Sequence, residues 1–288
     1  MIQVTNLTKR YDSTVALNGL SLTVPKAAIF CLLGPNGSGK STLIKLIMGF
    51  IFPDGGEVLN VPPHIGYLPE RIFFPSGSRI AEYLRTIGQL GGLTGKPLHE
   101  QVATTLQQVG LSEAAQWRIK ACSKGMLQRL GLAQALLTDP PLLILDEPMG
   151  GLDPSWQHQL RNLIRKEHQK GKTILLSTHR LSDIAELCTH VGILSRGRLM
   201  RTGTLEEVLP VRPQLIITVS ELPPALHSAL RKRYPNIAID HHHLTLNDDA
   251  ILYKNEVLHL LMDGGVDIQQ VEQQRATLEE IYLEVLRS

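Results

Sequence analysis

The stretch Gly34-Pro-Asn-Gly-Ser-Gly-Lys-Ser-Thr42 constrains this chain more than any other. It satisfies the pattern G-x-x-x-x-G-K-[ST], with Gly34, Gly39, Lys40 and Ser41 at the fixed positions. Its flanks give it meaning. The apolar run Ala27–Leu33 before it reads as a buried strand, and Ser41–Met48 after it reads as a helix. Pro35, Asn36, Gly37 and Ser38 fill the loop, whose glycines let successive backbone N–H groups face inward as an anion nest. The helix N-terminus adds partial positive charge. Lys40 would reach β- and γ-phosphates, and Ser41, followed by Thr42, would hold Mg²⁺. The pattern predicts a nucleoside-triphosphate site on an α/β fold.

A chain of 288 residues is ample for one large domain or two. With 43% hydrophobic and 19% charged residues it is globular, and a net charge of +2 marks neither nucleic acid nor an anionic membrane as a partner. The three cysteines, Cys31, Cys122 and Cys188, are odd in number and scattered, so neither a disulfide framework nor a zinc site is implied, and a reducing cytosol fits. The N-terminal residues lack a charged-then-apolar signal. The longest apolar runs, Ala27–Leu33 and Leu142–Leu145, fall far short of the ~20 residues that span a bilayer. Any service to a membrane is therefore expected from its cytoplasmic face, peripherally.

Residues 1–30 alternate apolar and polar, as antiparallel strands with one wet face do, and Ile65–Leu68 reads as a short strand. Residues 79–138 are mostly helical, with stripes Leu84, Ile87, Leu90 and Val102, Leu106, Val109. Leu142–Leu145 and Thr173–Leu176 have the continuous apolar character of a doubly covered parallel sheet. Val191–Leu194 turns at Ser195–Arg198 as a hairpin. Near Pro210–Pro213 the composition changes, and the order β-α-β-β-α-β that follows is that of a ferredoxin-like unit. A first domain is expected over residues 1–211 and a small α+β domain, closed by a final helix, over 212–288.

The segment Leu142-Leu-Ile-Leu-Asp-Glu147 is the partner of the phosphate loop. An apolar strand ending in Asp146 sets a carboxylate beside the Mg²⁺ on Ser41. Glu147 then stands nearer the γ-phosphate, where a base or water-orienting group is needed. His179 follows another apolar strand. A histidine there is either a solvated surface residue or, in a sheet neighbouring the Asp146 strand, a contact to the γ-phosphate that steadies Glu147 and water.

Cys122-Ser-Lys-Gly-Met126, joined to these segments, makes the chain resemble the ATP-binding subunits of ABC transporters from about residue 2 to residue 210. Ser123 and Gly125 match the family signature, usually Leu-Ser-Gly-Gly-Gln, while Cys122, Lys124 and Met126 depart from it. The Ser-Lys-Gly-Met form resembles that of type-2 exporters. The resemblance implies a P-loop ABC ATPase fold: a parallel-sheet core, an N-terminal antiparallel β subdomain and a helical subdomain. It also implies ATP as ligand, a dimer with Ser123 and Gly125 facing the other subunit's nucleotide, and a separately encoded transmembrane permease as partner. Tyr11 sits where the family stacks an aromatic on adenine, though without the family it reads equally as an ordinary strand aromatic. Gly150-Gly-Leu-Asp153 resembles the segment that crosses the dimer interface. Glu70 replaces the family's usual Gln ligand to Mg²⁺, which leaves its metal role open. Phe73 and Phe74 in Arg71–Pro75 are either core or the groove for a permease helix. The tail, down to Thr277–Tyr282, resembles the accessory domain of the same exporters. His241-His-His243 reads as solvated residues, since adjacent strand side chains diverge.

The function implied is ATP hydrolysis powering a separate exporter permease through ATP-driven dimerisation. Two other readings stay open in the sequence, a soluble ABC ATPase not linked to transport and an importer ATPase with a C-terminal regulatory domain. A copper- or sulfur-related cargo stays open too, through a likeness of Cys122–Leu137 to nitrous-oxide-reductase maturation ATPases. No residue of this chain selects the cargo.

Overall fold

The computed structural model describes residues 2–209 and 211–287. It divides into two units, residues 1–208 with 284–288, and residues 209–283. The sequence boundary after residue 211 lies three residues beyond this division.

The first unit opens with β1 (Ile2–Tyr11) and β2 (Thr14–Val24), whose inward residues Val4, Leu7, Leu20 and Leu22 are buried. They pair antiparallel, and β4 (Gly55–Leu59), unmarked in the sequence by any strong alternation, adds to the free edge of β1. Between β2 and β4 come β3 (Ile29–Leu33), buried at every position, and helix α1 (Lys40–Ile47). Leu43, Ile44, Leu46 and Ile47 of α1 join one core with Val4 and Leu22 of the antiparallel sheet and Phe30, Ile144 and Leu175 of the main one. Burial of one such Leu or Ile side chain contributes about 1.5–3 kcal/mol.

The main sheet runs β5 (Ile65–Leu68), β6 (Leu142–Asp146), β7 (Thr173–Thr178), β3, β8 (His190–Ser195) and β9 (Arg198–Thr204) in spatial order. All neighbours are parallel except β9, which returns through a hairpin at Arg196 and Gly197, both at positive φ as a tight primed turn requires. Leu68 stands opposite Leu145, Asp146 opposite Ser177, and Leu33 opposite Thr178. The carboxyl ends of four strands therefore meet at one edge, where open α/β sheets bind ligands.

The helical segment comprises α2 (Ile80–Leu90), α3 (Gly95–Gln108), a 3₁₀ turn (Ile119–Ala121) and α4 (Lys124–Leu136). Leu84, Val102, Leu106 and Val109 are buried as their spacing predicts, but Leu90 is 81% exposed. The face of α2 that packs inward is Ala81, Leu84 and Gly88, and Gly88 lies against Leu98 so closely that a Cβ would overlap it. That close approach turns Leu90 outward. Helices α5 (Pro154–Gln169) and α6 (Leu181–Leu187) cover the sheet, and α7 (Leu205–Val208) closes the unit.

One expectation is overturned here: Cys31 and Cys188 form a disulfide, with Cα atoms 6.0 Å apart across 157 residues of sequence. The pairing follows from topology. Helix α6 (Leu181–Leu187) packs on β3 and ends at Cys188, and Thr189 exchanges hydrogen bonds with Ile29, which brings Cys188 alongside β3.

The second unit holds β10 (Val211–Val219), α8 (Pro224–Arg233), β11 (Ile237–Ile239), β12 (His243–Asn247), α9 (Lys254–Asp263) and β13 (Ile268–Arg275), and α10 (Leu278–Arg287) begins in it. Its antiparallel sheet has the order β11-β12-β10-β13, the strand order of a split βαβ unit. Leu215, Ile217, Val219, Leu244 and Leu246 pack under Leu230, Val257 and Leu261. The strand at Ile237 stops before His241, and the three histidines are exposed: His242 bonds the Ser220 carbonyl and His243 bonds Asp240. Among the described residues no group of three or more His, Cys, Asp or Glu is placed to hold a metal, and no helix is long and apolar enough to cross a membrane.

Candidate active site

Between β3 and α1, residues Gly34–Gly39 form a loop with Gly37 and Gly39 at positive φ. Gly39 sits where a Cβ would press on the Ala16 carbonyl and the Leu17 side chain, so this turn requires glycine on two grounds. A cavity of about 470 Å³ lies over the loop, walled by Tyr11, Val15, residues 36–42, Glu70 and Glu147. Tyr11 stands at the end of β1, 44% exposed, with Lys9 Nζ 5.8 Å from its ring centre.

Lys40 is buried at the first turn of α1 and donates to the carbonyls of Gly34 (2.6 Å) and Pro35 (3.2 Å). Burial holds its ammonium pKa below the usual lysine value, while Glu147, Asp146 and Glu70 act the other way. The Ser38 hydroxyl oxygen and Glu147 Oε1 are buried without a hydrogen-bond partner. Both residues line the cavity over the loop, where a bound anion or water would supply such atoms with partners.

Asp146 ends β6, buried, and accepts from the Ser177 hydroxyl. Glu147 follows at φ 50°, a left-handed conformation unusual outside glycine. Its N–H is held by the Ser177 carbonyl (3.2 Å) and hydroxyl (3.0 Å) on the neighbouring strand. The turn swings the Glu147 carboxylate off the strand direction, so that Oε1 lies 3.9 Å from Lys40 Nζ and Oε2 lies 2.9 Å from His179 Nδ1. His179, half exposed at the end of β7, thus meets Glu147 rather than standing alone in solvent. The donors available to a divalent cation are the Ser41 hydroxyl and the Asp146 and Glu70 carboxylates. These are hard oxygens that suit Mg²⁺ completed by phosphate and water.

A second cavity, about 480 Å³, adjoins the first and is lined by Glu70, Phe73, Lys124, Gln128, Glu147, Gly150 and His179. The two phenylalanines divide: Phe73 is 89% exposed, while Phe74 packs edge-on against Tyr83 of α2, 5.2 Å between ring centres. Ser123 caps α4, its hydroxyl accepting from the Met126 N–H at 3.2 Å. Such a cap contributes about 1 kcal/mol to a helix. Leu130, Ala133 and Leu137 anchor that helix in the core, with Met126 only half-buried. Ser123 and Gly125 have no contact with the phosphate loop of their own chain among the hydrogen bonds of the described residues.

Sequence reasoning missed four residues here. Ser177 holds Asp146 and Glu147 together, Gln128 donates to the Pro148 carbonyl, and Gln157 donates to the carbonyls of Met149 and Leu152. Asp183 is buried behind His179. A charged residue in the apolar frame of Leu181, Ile184 and Leu187 was the one available signal for it.

Residues 17–150 match the family model described as ABC transporter. YxlF of Bacillus subtilis, an uncharacterized ABC transporter ATP-binding protein, is 33% identical over the full length of both chains. The chain belongs to the ABC transporter ATP-binding family. Other relatives of this ABC ATPase include all4389 of Nostoc, an uncharacterized ABC transporter ATP-binding protein, 40% identical over 69% of this chain. The match spans 62% of that relative's length. The linearmycin resistance ATP-binding protein LnrL of Bacillus subtilis is 29% identical over 98% of this chain and 97% of its own. A solved ATP-binding subunit of an ABC transporter superposes with a TM-score of 0.68 and 30% identity, covering 72% of this chain and 91% of the other.

Proposed function

We propose that this ABC ATPase hydrolyses Mg²⁺-ATP between two cassettes and uses the cycle of closure and reopening to drive a separate transmembrane permease, in the direction of export. The observation that carries the reading is the placement of Glu147, one carboxylate oxygen against His179 and the other toward Lys40 at the mouth of the phosphate loop.

In this reading Tyr11 covers adenine, and the N–H groups of Gly34–Gly39, with the Ser38 hydroxyl, take the phosphates. Lys40 exchanges its carbonyl partners for β- and γ-phosphate oxygens, whose charge offsets the burial that depresses its pKa. Ser41, Asp146 and Glu70 would hold Mg²⁺, which supplies charge neutralisation at the phosphates when bound. Glu147 orients a water in line with the γ-phosphorus and takes its proton as the P–O bond to the β-phosphate breaks. His179, fixed by its hydrogen bond to Glu147, steadies carboxylate and water together. Ser123, exposed at the start of α4, and Gly125, half-buried two residues on, face the nucleotide of the second cassette, and Gly150–Asp153 crosses between the two.

Export is supported by the Ser-Lys-Gly-Met signature and by the end-to-end likeness to LnrL, whose name records linearmycin resistance. Phe73, exposed beside Glu70, fits the floor of a groove for a permease helix, and residues 212–288 act as an accessory domain.

Glu147→Gln tests the reading. The variant should bind ATP, lose hydrolysis and accumulate as a dimer with ATP and Mg²⁺ on size-exclusion chromatography, because its side chain touches water and not nucleotide. A Glu147→Gln protein that remains monomeric and still turns over ATP contradicts both the catalytic role and the shared site.

A further inference from the structure

Asp183 has no part in the chemistry above, yet its carboxylate is fully buried in the first turn of α6. A buried charge is retained only where partners offset its desolvation. Asp183 Oδ1 accepts from Arg161 Nη2 at 3.2 Å, and Oδ2 accepts from the Thr178 hydroxyl at 3.2 Å. Arg180 Nε lies 3.8 Å from the same carboxylate, and the Arg180 N–H donates back to the Thr178 hydroxyl at 3.0 Å. Thr178 and Arg180 are the two neighbours of His179. The backbone that carries the imidazole is therefore gripped on both sides by one carboxylate.

The grip does not end at Asp183. Arg180 Nη2 donates to Gln157 Oε1 at 3.3 Å, and Gln157 Nε2 donates in turn to the carbonyls of Leu152 (3.0 Å) and Met149 (3.4 Å). Those carbonyls flank Gly150 and Gly151. Gly150 has no side chain to anchor it, and Gly151 sits at positive φ. The amide of Gln157 is used at both ends, its oxygen toward the histidine segment and its nitrogen toward the glycine segment.

We propose that Gln157 and Arg180, seated on Asp183, form a positioning clamp that fixes His179 relative to Gly150–Gly151, so that contact made on the glycine segment is transmitted to the His179–Glu147 pair. The inference rests on the reading of Glu147 and His179 as the hydrolytic pair and of Gly150–Asp153 as the segment between cassettes. None of the three clamp residues lines the cavity over the phosphate loop or the one adjoining it. They act through His179, and their effect belongs in turnover rather than in ATP affinity.

The test is a set of variants of the full chain: Arg180→Ala, Gln157→Ala, their combination, and Gln157→Glu. Each single variant should lower kcat about ten- to a hundredfold, the scale of a misplaced catalytic group, with KM and the affinity for a fluorescent ATP analogue held within about twofold. The double variant should be no slower than the slower single, because both singles break the same link. Gln157→Glu is the discriminating change. It strengthens the contact to Arg180 but removes both donors to Met149 and Leu152, and it should be as slow as Gln157→Ala. Full turnover in Gln157→Glu would mean that the link to the glycine segment carries nothing. Multiplicative losses that track a falling Tm would reduce the three residues to scaffold. Imidazole ¹⁵N resonances of His179 in nucleotide-free protein give a readout that needs no hydrolysis: they should shift in both single alanine variants, and unchanged resonances overturn the clamp. A wild-type protein without ATPase activity would overturn the hydrolytic reading alone, since the resonances report the clamp directly.

Discussion

At the scale of single residues, the site is set by what burial does to charge. Lys40, Asp146 and Glu147 lie together, and two of the buried polar atoms without a hydrogen-bond partner among the described residues, the Ser38 hydroxyl and Glu147 Oε1, belong to residues lining the cavity over the loop. Tyr67 on β5 reports the same environment. Its hydroxyl pKa is pushed up to about 12, first by burial and then by the negative charges of Asp146 and Glu70. The folded state thus holds the Tyr67 proton more tightly than the unfolded chain, whose tyrosine titrates near 10. That contribution to stability is complete below pH 10 and is lost as pH rises from 10 toward 12. Tyr67→Phe has no proton to lose, so its urea midpoint should decline less than that of wild type between pH 9 and pH 11.5. Parallel curves would show that neither burial nor these carboxylates raises the hydroxyl pKa in the fold. The residues that carry chemistry were legible because each belongs to a dense local pattern: Lys40 and Ser41 to the phosphate loop, Asp146 and Glu147 to the end of an apolar run. The Glu147–His179 contact was legible only through an assumed strand adjacency. Ser177 and Gln157 were not legible, since a single serine or glutamine carries no spacing that marks a partner 20 or 30 residues away, and Asp183 showed only as a charge in an apolar frame, without its partners.

At the scale of elements, close backbone approach decides what periodicity cannot. The all-apolar strands β3, β6 and β7 and the primed hairpin between β8 and β9 could be read directly, because their signals are local. The edge strand β4 and the outward turn of Leu90 depend on what other segments do nearby. The packing of α4 on β5 is the clearest case. Gly66 lies so close to the Ala135 carbonyl that a Cβ would overlap it, and backbone cannot rotate away. Gly131, on the facing side of α4, would meet only the ends of the Leu68 and Ile72 side chains. Gly66→Ala should therefore cost about 1–3 kcal/mol or more, as forced overpacking does. Gly131→Ala should cost less, because side-chain ends can shift and a helical Gly→Ala change returns up to about 1 kcal/mol of propensity. Equal urea midpoints for the two variants would contradict this account of how α4, and Ser123 at its start, is held. The Cys31–Cys188 pair belongs to this scale as well, for its proximity exists only once β3 and β8 are neighbours.

At the scale of the whole molecule, one cassette holds half of each proposed site. Lys40 and its loop lie at the carboxyl edge of the main sheet, while Ser123 caps a helix whose start makes no hydrogen bond to that loop among the described residues. If Ser123 acts on the second subunit's nucleotide, Ser123→Arg should leave ATP binding by the monomer nearly intact, since the phosphate loop and Tyr11 are untouched. Hydrolysis should stop, because a bulky cation at that helix start cannot close over the facing γ-phosphate. Lys40→Ala fails for the opposite reason, losing the charge on its own nucleotide. Mixing the two proteins should restore turnover, since a mixed dimer has one sound site built from Lys40 of the first chain and Ser123 of the second. Random pairing makes half of the dimers mixed, each with one working site of two, so recovery should approach about a quarter of wild type if the sites act independently. Mixed dimers shown to form by differential tagging, yet wholly inactive, would assign Ser123 to its own chain or make both sites obligatory. Loss of ATP binding by the Ser123→Arg monomer alone would place Ser123 in its own chain's nucleotide site and remove the shared-site model.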